Sequence, residues 1–216
     1  LDSISFRPTF LPTNIVSPRQ MNYAFVELFS RANALAKGNF DNLFVPFRCI
    51  ASDIYRKEAV VFRSGSLGDA VRASMTFPFM YKPIMINNQL LFDGGIFNNF
   101  PVDVMRSDFK PDFMLGSAVS NNPPKPDEND IVRQIENMIM SKSDYSIPEV
   151  EGVMLNFKLE NVNTFDFSKV DQLVKLGYDE VMKRMPEIMQ RVQRRVSKEE
   201  MVLRRAHFKN QLPALK

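Results

Sequence analysis

The chain has 216 residues, 44% hydrophobic and 25% charged, the proportions of an ordinary globular protein with enough length for a real core. The single cysteine, Cys49, excludes an internal disulfide and any cysteine-based metal cluster, and no apolar run approaches the ~18 residues of a membrane span. The formal net charge of +3 is uneven: Lys183 to Lys209 hold nine Lys/Arg against three Asp/Glu, a local +6 that leaves −3 for the rest.

Residues 1–20 carry Pro8, Pro12 and Pro18 among polar residues and read as an irregular lead-in. Met21–Lys37 has apolar residues at helical spacing (Phe25, Leu28, Phe29, Ala32, Leu35) and closes on Gly38. Leu43–Asp53 and Ala59–Phe62 read as strands joined by a polar turn. Cys49, inside the first, is expected to be a small buried hydrophobe. Leu67–Met75 is a predicted helix, stopped by Phe77-Pro78 because a residue before proline avoids the helical region. Ser66 stands where it would cap that helix, with Asp69 three residues on. Pro83–Ile86 and Gln89–Phe92 flank Asn87-Asn88, a hairpin signal. A short helix over Pro101–Arg106 and a buried strand over Phe113–Val119 follow.

Residues 121–128, rich in Asn and Pro, read as a surface loop or lid hinge, not a domain boundary. A helix at Ile131–Met140 and a strand at Val153–Leu159 come next. From Ser168 the pattern is helical, with Val170, Leu173, Val174, Val181, Met185 and Ile188 on one face. Pro186 is expected to kink or restart that helix, and Ser197 with Glu200 forms a capping box for a last one. Strands separated by helices predict an α/β fold, a mostly parallel sheet with helices on both faces.

The most informative segment is Phe92-Asp93-Gly94-Gly95-Ile96-Phe97-Asn98-Asn99-Phe100-Pro101. An apolar strand ends on a carboxylate, followed by two residues without Cβ atoms. α/β enzymes place a catalytic acid at the mouth of a sheet in this way, although a plain Asp-Gly turn has the same spelling. Asp93 is therefore expected at a strand's C-terminal end, partly exposed and facing a cavity. Asn98 and Asn99 are expected to hydrogen-bond the turn that holds it. Upstream stand Gly65-Ser66-Leu67, Ala70-Val71-Arg72-Ala73-Ser74-Met75, Phe77-Pro78 and Pro83-Ile84.

This order of motifs, from about Leu43 to Val119, resembles the patatin-like phospholipases, serine acyl hydrolases with a Ser-Asp dyad. It looks closest to the bacterial branch in which such a domain precedes an outer-membrane barrel, which implies a bacterial envelope location. The resemblance implies a three-layer sandwich and makes Asp93, of Asp93-Gly94-Gly95, the base that takes the serine's proton. It also exposes a gap. The family's Gly-x-Ser-x-Gly nucleophile and its glycine-rich oxyanion turn lie N-terminal to everything matched here, so the chain reads as lacking the strands with the nucleophile elbow. Ser64-Gly65-Ser66-Leu67-Gly68 is only an imitation, and the helix-cap reading of Ser66 is preferred. On this reading, 1–216 is one partial domain: 1–42 lead-in and helix, 43–119 core, 120–167 loop, helix and strand, 168–216 C-terminal helices.

The implied function is ester cleavage of lipids by a longer protein, this chain alone being inactive. The alternative is a non-catalytic lipid- or partner-binding module of the same fold. The apolar Phe77, Phe79 and Met80 would line an acyl pocket or simply pack the core. The basic C-terminal helices are a solvated face or a contact for anionic membrane, and no nucleic-acid motif accompanies them. No cofactor and no metal are implied, and His207, in a basic terminal helix, is not expected to act as a base. A sheet lacking strands would expose an edge and favour self-association.

Overall fold

In the computed structural model, residues 14–120, 122–157, 159, 162, 167–192 and 196–214 are described. The lead-in before Asn14, Asn121 and the end of the Val153–Leu159 strand expectation at Lys158 lie outside them. The chain divides into two compact units. The first runs to Asn99 and takes in the chain from Leu203, and the second is Phe100–Val202.

The first unit opens with helix α1 (Arg19–Leu35). It ends as Lys37 and Gly38 turn to positive φ, with Gly38 N–H donating to Asn33 O at 3.0 Å. The predicted apolar face is only partly covered: Phe29 packs against the core, but Val26 and Leu28 are exposed. Strand β1 (Cys49–Asp53) starts six residues later than the sequence suggests. Pro46 has no N–H for a sheet ladder, and Phe47 N–H is spent on Phe40 O at 3.2 Å. Strand β2 (Glu58–Phe62) returns antiparallel, Asp53 facing Glu58. The Asp53 carboxylate holds the turn, accepting from Tyr55 N–H at 3.0 Å and Arg56 N–H at 3.1 Å.

Helix α2 (Leu67–Ser74) follows, capped by Ser66, whose Oγ accepts from Asp69 N–H at 3.3 Å. Strands β3 (Ile84–Ile86) and β4 (Gln89–Asp93) form a hairpin. Its Asn87 and Asn88 both take positive φ, as a two-residue primed turn requires. The sheet order is β2-β1-β4-β3 and every pair in it is antiparallel. α2 covers one face, burying Ala73 with Ala51 and Leu91, while Phe40, Leu67 and Ala70 make a second cluster with Phe29, Phe47 and Cys49. Burial pushes the Cys49 thiol up to about 12, which suits an inert packing residue.

The second unit contains one helical turn, α3 (Val102–Val104), extended by a wider turn over Met105–Phe109. Strand β5 (Met114–Ala118), helix α4 (Ile131–Ile139) and strand β6 (Gly152–Asn156) form a crossover whose strands pair in parallel, Met114 opposite Gly152. Helix α5 (Val170–Arg191) continues past Pro186 as one element, so the expected restart does not occur. Arg191, at its end, donates to the carbonyls of Glu149, Val150 and Gly152 at 2.6, 2.9 and 3.2 Å, and its guanidinium lies over the Phe113 ring. Helix α6 (Lys198–Gln211) is capped by Ser197 Oγ, which accepts from Glu200 N–H at 3.1 Å.

The α/β content is as expected, but the mostly parallel sheet is not what forms. Four strands are antiparallel and only β5 and β6 are parallel. The reason is connection length. Four residues join β1 to β2 and two join β3 to β4, too few for the dozen or more that a parallel crossover needs, whereas the β5–β6 link is long enough and carries α4.

Candidate active site

β4 is an inner strand, hydrogen-bonded to β1 on one side and β3 on the other, and Leu91 within it is fully buried. Asp93 is its last residue, opposite Ala51 of β1 and partly exposed. Its main-chain N–H donates to Thr76 O at 2.9 Å. Its Oδ1 accepts from Gly95 N–H at 2.8 Å, capping a 3-10 turn over Gly94–Ile96. Phe97 and Asn98 N–H both donate back to Gly94 O, at 3.2 and 2.9 Å.

Gly94 is required by space, against backbone, and Gly95 packs against side chains. A Cβ on Gly94 would meet Ile50 O at 2.3 Å, and one on Gly95 would meet Asn99 Oδ1 at 2.7 Å and Asp93 Oδ1 at 3.1 Å. The Asn99 side chain therefore lies against the turn that carries the acid, and Asn98 joins that turn through its backbone. The buried Ser52 hydroxyl donates to Gly94 O at 3.5 Å.

Burial raises the pKa of the Asp93 carboxyl, and the Gly95 N–H pulls the other way with the smaller effect. Among the described residues no cation pairs with it, and Oδ2 has no hydrogen-bond partner. One oxygen is thus fixed and the other is available, on a group that accepts a proton more readily than a solvated aspartate. No described serine hydroxyl bonds it. Ser66 is occupied as the cap of α2, and His207 stands on α6 beside Gln211.

The anchor of Asp93 leads to a residue that the sequence reading passed over. Thr76, which holds the Asp93 N–H, is fully buried and accepts through Oγ1 from Arg72 Nη1. Arg72 is 4% exposed and also donates from Nη2 to Lys82 O at 2.6 Å. An arginine between Val71 and Ala73 on an otherwise apolar helix face was the available signal.

Thr76 is followed by a turn over 77–80 in which Phe79 takes φ +67°. Phe79 O and Met80 O accept from Ile15 and Val16 N–H at 3.0 and 2.9 Å. Phe77 and Phe79 are 39% and 57% exposed and Met80 is partly buried, so the three sit on a surface turn. A cavity of about 260 Å³ lies between α1 and the start of α2, and neither this turn nor Asp93 is in its lining. Asp93 lies outside the lining of that cavity, and its N–H is held by the carbonyl of Thr76, just before the exposed Phe77.

Residues 16–106 match the family model described as patatin-like phospholipase. An uncharacterized NTE family protein of Mycobacterium tuberculosis is 35% identical over 83 residues, 36% of this chain and 14% of that protein. A patatin-like phospholipase domain-containing protein of Caenorhabditis elegans is 33% identical over 101 residues, 46% of this chain and 7% of that protein. A second, putative protein of that description from the same organism is 25% identical over 190 residues, 70% of this chain and 17% of the relative. The chain thus spans a small part of each relative, and the matched segment holds α1, the antiparallel sheet, α2 and the Asp93-Gly94-Gly95 turn. By that segment, and over that segment alone, the chain is similar to the patatin-like phospholipases.

Proposed function

We propose that this chain supplies the general base of a lipid acyl hydrolase, with Asp93 taking the proton of a serine nucleophile contributed by a longer protein. The observation that carries the reading is Asp93 itself: a strand-end carboxylate, oriented through one oxygen by Gly95 N–H, with its pKa raised by burial. In a Ser-Asp dyad the base removes the hydroxyl proton as the serine oxygen attacks the ester carbonyl, then returns it to the leaving alcohol. Gly94 and Gly95 let the turn that carries the acid pack closely against Ile50 and the Asn99 side chain. The exposed Phe77 and Phe79 would meet the acyl chain at the site's edge. Arg205 and Lys209, exposed on α6, would meet anionic head groups.

In the longer protein, with a Gly-x-Ser-x-Gly segment upstream of Leu1, Asp93→Asn should lower p-nitrophenyl ester hydrolysis by at least about 10²-fold. Activity near wild type overturns the assignment. The 216-residue chain by itself should hydrolyse nothing, because it offers a base without a nucleophile or oxyanion donors. Phosphonate-sensitive turnover labelled on Ser66 or Ser74 would refute that. The second reading, a non-catalytic lipid-binding module, is favoured by the exposed Phe77 and Phe79, and retained vesicle binding with no serine upstream would select it.

A further inference from the structure

The cavity between α1 and α2 has an uncommon lining. Asn22, Phe25, Val26, Ser30, Asn33 and Ala34 come from α1, and Ser66, Gly68, Asp69 and Arg72 from the start of α2. Three buried polar atoms among the described residues have no hydrogen-bond partner: Ser30 Oγ, Asn33 Oδ1 and Arg72 Nε. All three belong to residues of this one lining.

Arg72 gives them a common meaning. The residue is 4% exposed; its Nη1 and Nη2 donate to Thr76 Oγ1 and the Lys82 carbonyl, Nε is left without a partner, and the Tyr81 ring is 5.7 Å away. Among the described residues it pairs with no carboxylate. Arginine does not lose its proton in proteins, and an unpaired buried charge costs several kcal/mol. Gly68 is the second residue of α2, so the positive end of that helix faces the same lining. Asp69 is solvent-exposed, where water screens its charge.

We propose that this cavity binds a small oxyanion, a carboxylate or phosphate group, with Arg72 as its cationic partner. The Ser30 hydroxyl would donate to the oxyanion, and Asn33 Oδ1 would accept from a hydroxyl on the rest of the ligand. Phe25 and Val26 would cover a short hydrocarbon part. At about 260 Å³ the space is below the usual range for drug-sized ligands, which limits the occupant to a few heavy atoms beyond the anion. Arg72 bonds Thr76 and Thr76 holds the Asp93 main chain, so an occupant would stiffen the support of that acid.

The test is thermal unfolding of the full chain in sodium phosphate, sn-glycerol 3-phosphate, butyrate and chloride at matched ionic strength. The expected result is a saturable rise in Tm, about 5 °C at a hundred times Kd, for a phosphate or a carboxylate and not for chloride. A response to both phosphates assigns a phosphate ligand, and a response to butyrate alone assigns a carboxylate. Asn33→Asp places a carboxylate in the cavity. It should raise Tm without ligand and weaken the anion's apparent affinity at least about tenfold, and Ser30→Asp does the same if the first variant does not fold. NMR shifts of the Gly68 amide and the Asn33 side-chain amide should move with the titration. The proposal falls if chloride reproduces the stabilisation, if both aspartate variants keep full anion sensitivity, or if the shifts map elsewhere.

Discussion

Gly94→Ala tests the geometry that holds Asp93. The added Cβ would stand 2.3 Å from Ile50 O, 2.7 Å from Ile50 C and 2.9 Å from Ile50 Cβ. Ordinary carbon contacts begin near 3.5 Å, so relief requires about 1 Å of movement. The obstruction is backbone of β1, one residue from Ala51, which pairs with Asp93, so it cannot swing aside as a side chain would. Overpacking of this kind costs about 1–3 kcal/mol, and a main-chain obstacle places it at the upper end, about 3 kcal/mol. For a chain of this size that lowers Tm by roughly 6–12 °C. Urea unfolding followed by circular dichroism measures it, with Gly177→Ala as control. No atom lies within 4 Å of a Cβ at Gly177, and the change there should stabilise α5 by about 0.5–1 kcal/mol. A Gly94→Ala chain within about 0.5 kcal/mol of wild type would refute the close approach of β4 to β1. Were Asp93 the base proposed above, the same 1 Å displacement should cost about 10²-fold in turnover.

Asp93→Asn should stabilise the chain at neutral pH. A carboxyl whose folded pKa is raised contributes stability below its unfolded value of about 3.9 and loses it as pH rises through the folded value, so the gain should vanish in acid and appear above that window in pH-dependent urea melts. Ser66→Ala removes the α2 cap and should cost about 1 kcal/mol by the same melts, whereas Ser66→Gly should cost only a few tenths. Arg191→Lys should cost about 2 kcal/mol, since a point charge cannot serve three carbonyls and the Phe113 ring together, and hydrogen exchange should rise at residues 149–152.

The sequence by itself determined what a few neighbouring residues settle. Ser66 and Ser197 cap helices because their hydroxyls reach an N–H three residues on. Asn87-Asn88 turns a hairpin because both residues tolerate positive φ. The Asp93-Gly94-Gly95 turn needs only its own carboxylate and one amide to form, and its order with Phe77-Pro78 carried the resemblance that the match over residues 16–106 repeats. Sheet direction was open to misreading: strands alternate with helices along the chain, but the short β1–β2 and β3–β4 links pair their strands antiparallel, and only the fold sets β4 antiparallel to β1. Only the tertiary structure decided burial. Phe77 and Phe79 read as pocket or core from their apolar character, yet they lie on the surface turn that follows the buried Thr76. Arg72 reads as one charge on a short helix, yet it is enclosed, has no carboxylate partner among the described residues, and is tied through Thr76 to Asp93. The physical reason is range. Caps and turns are satisfied by atoms within a few residues along the chain, whereas desolvation depends on what distant segments bring to the same place, as β1 does when it meets β4 across about forty residues of chain.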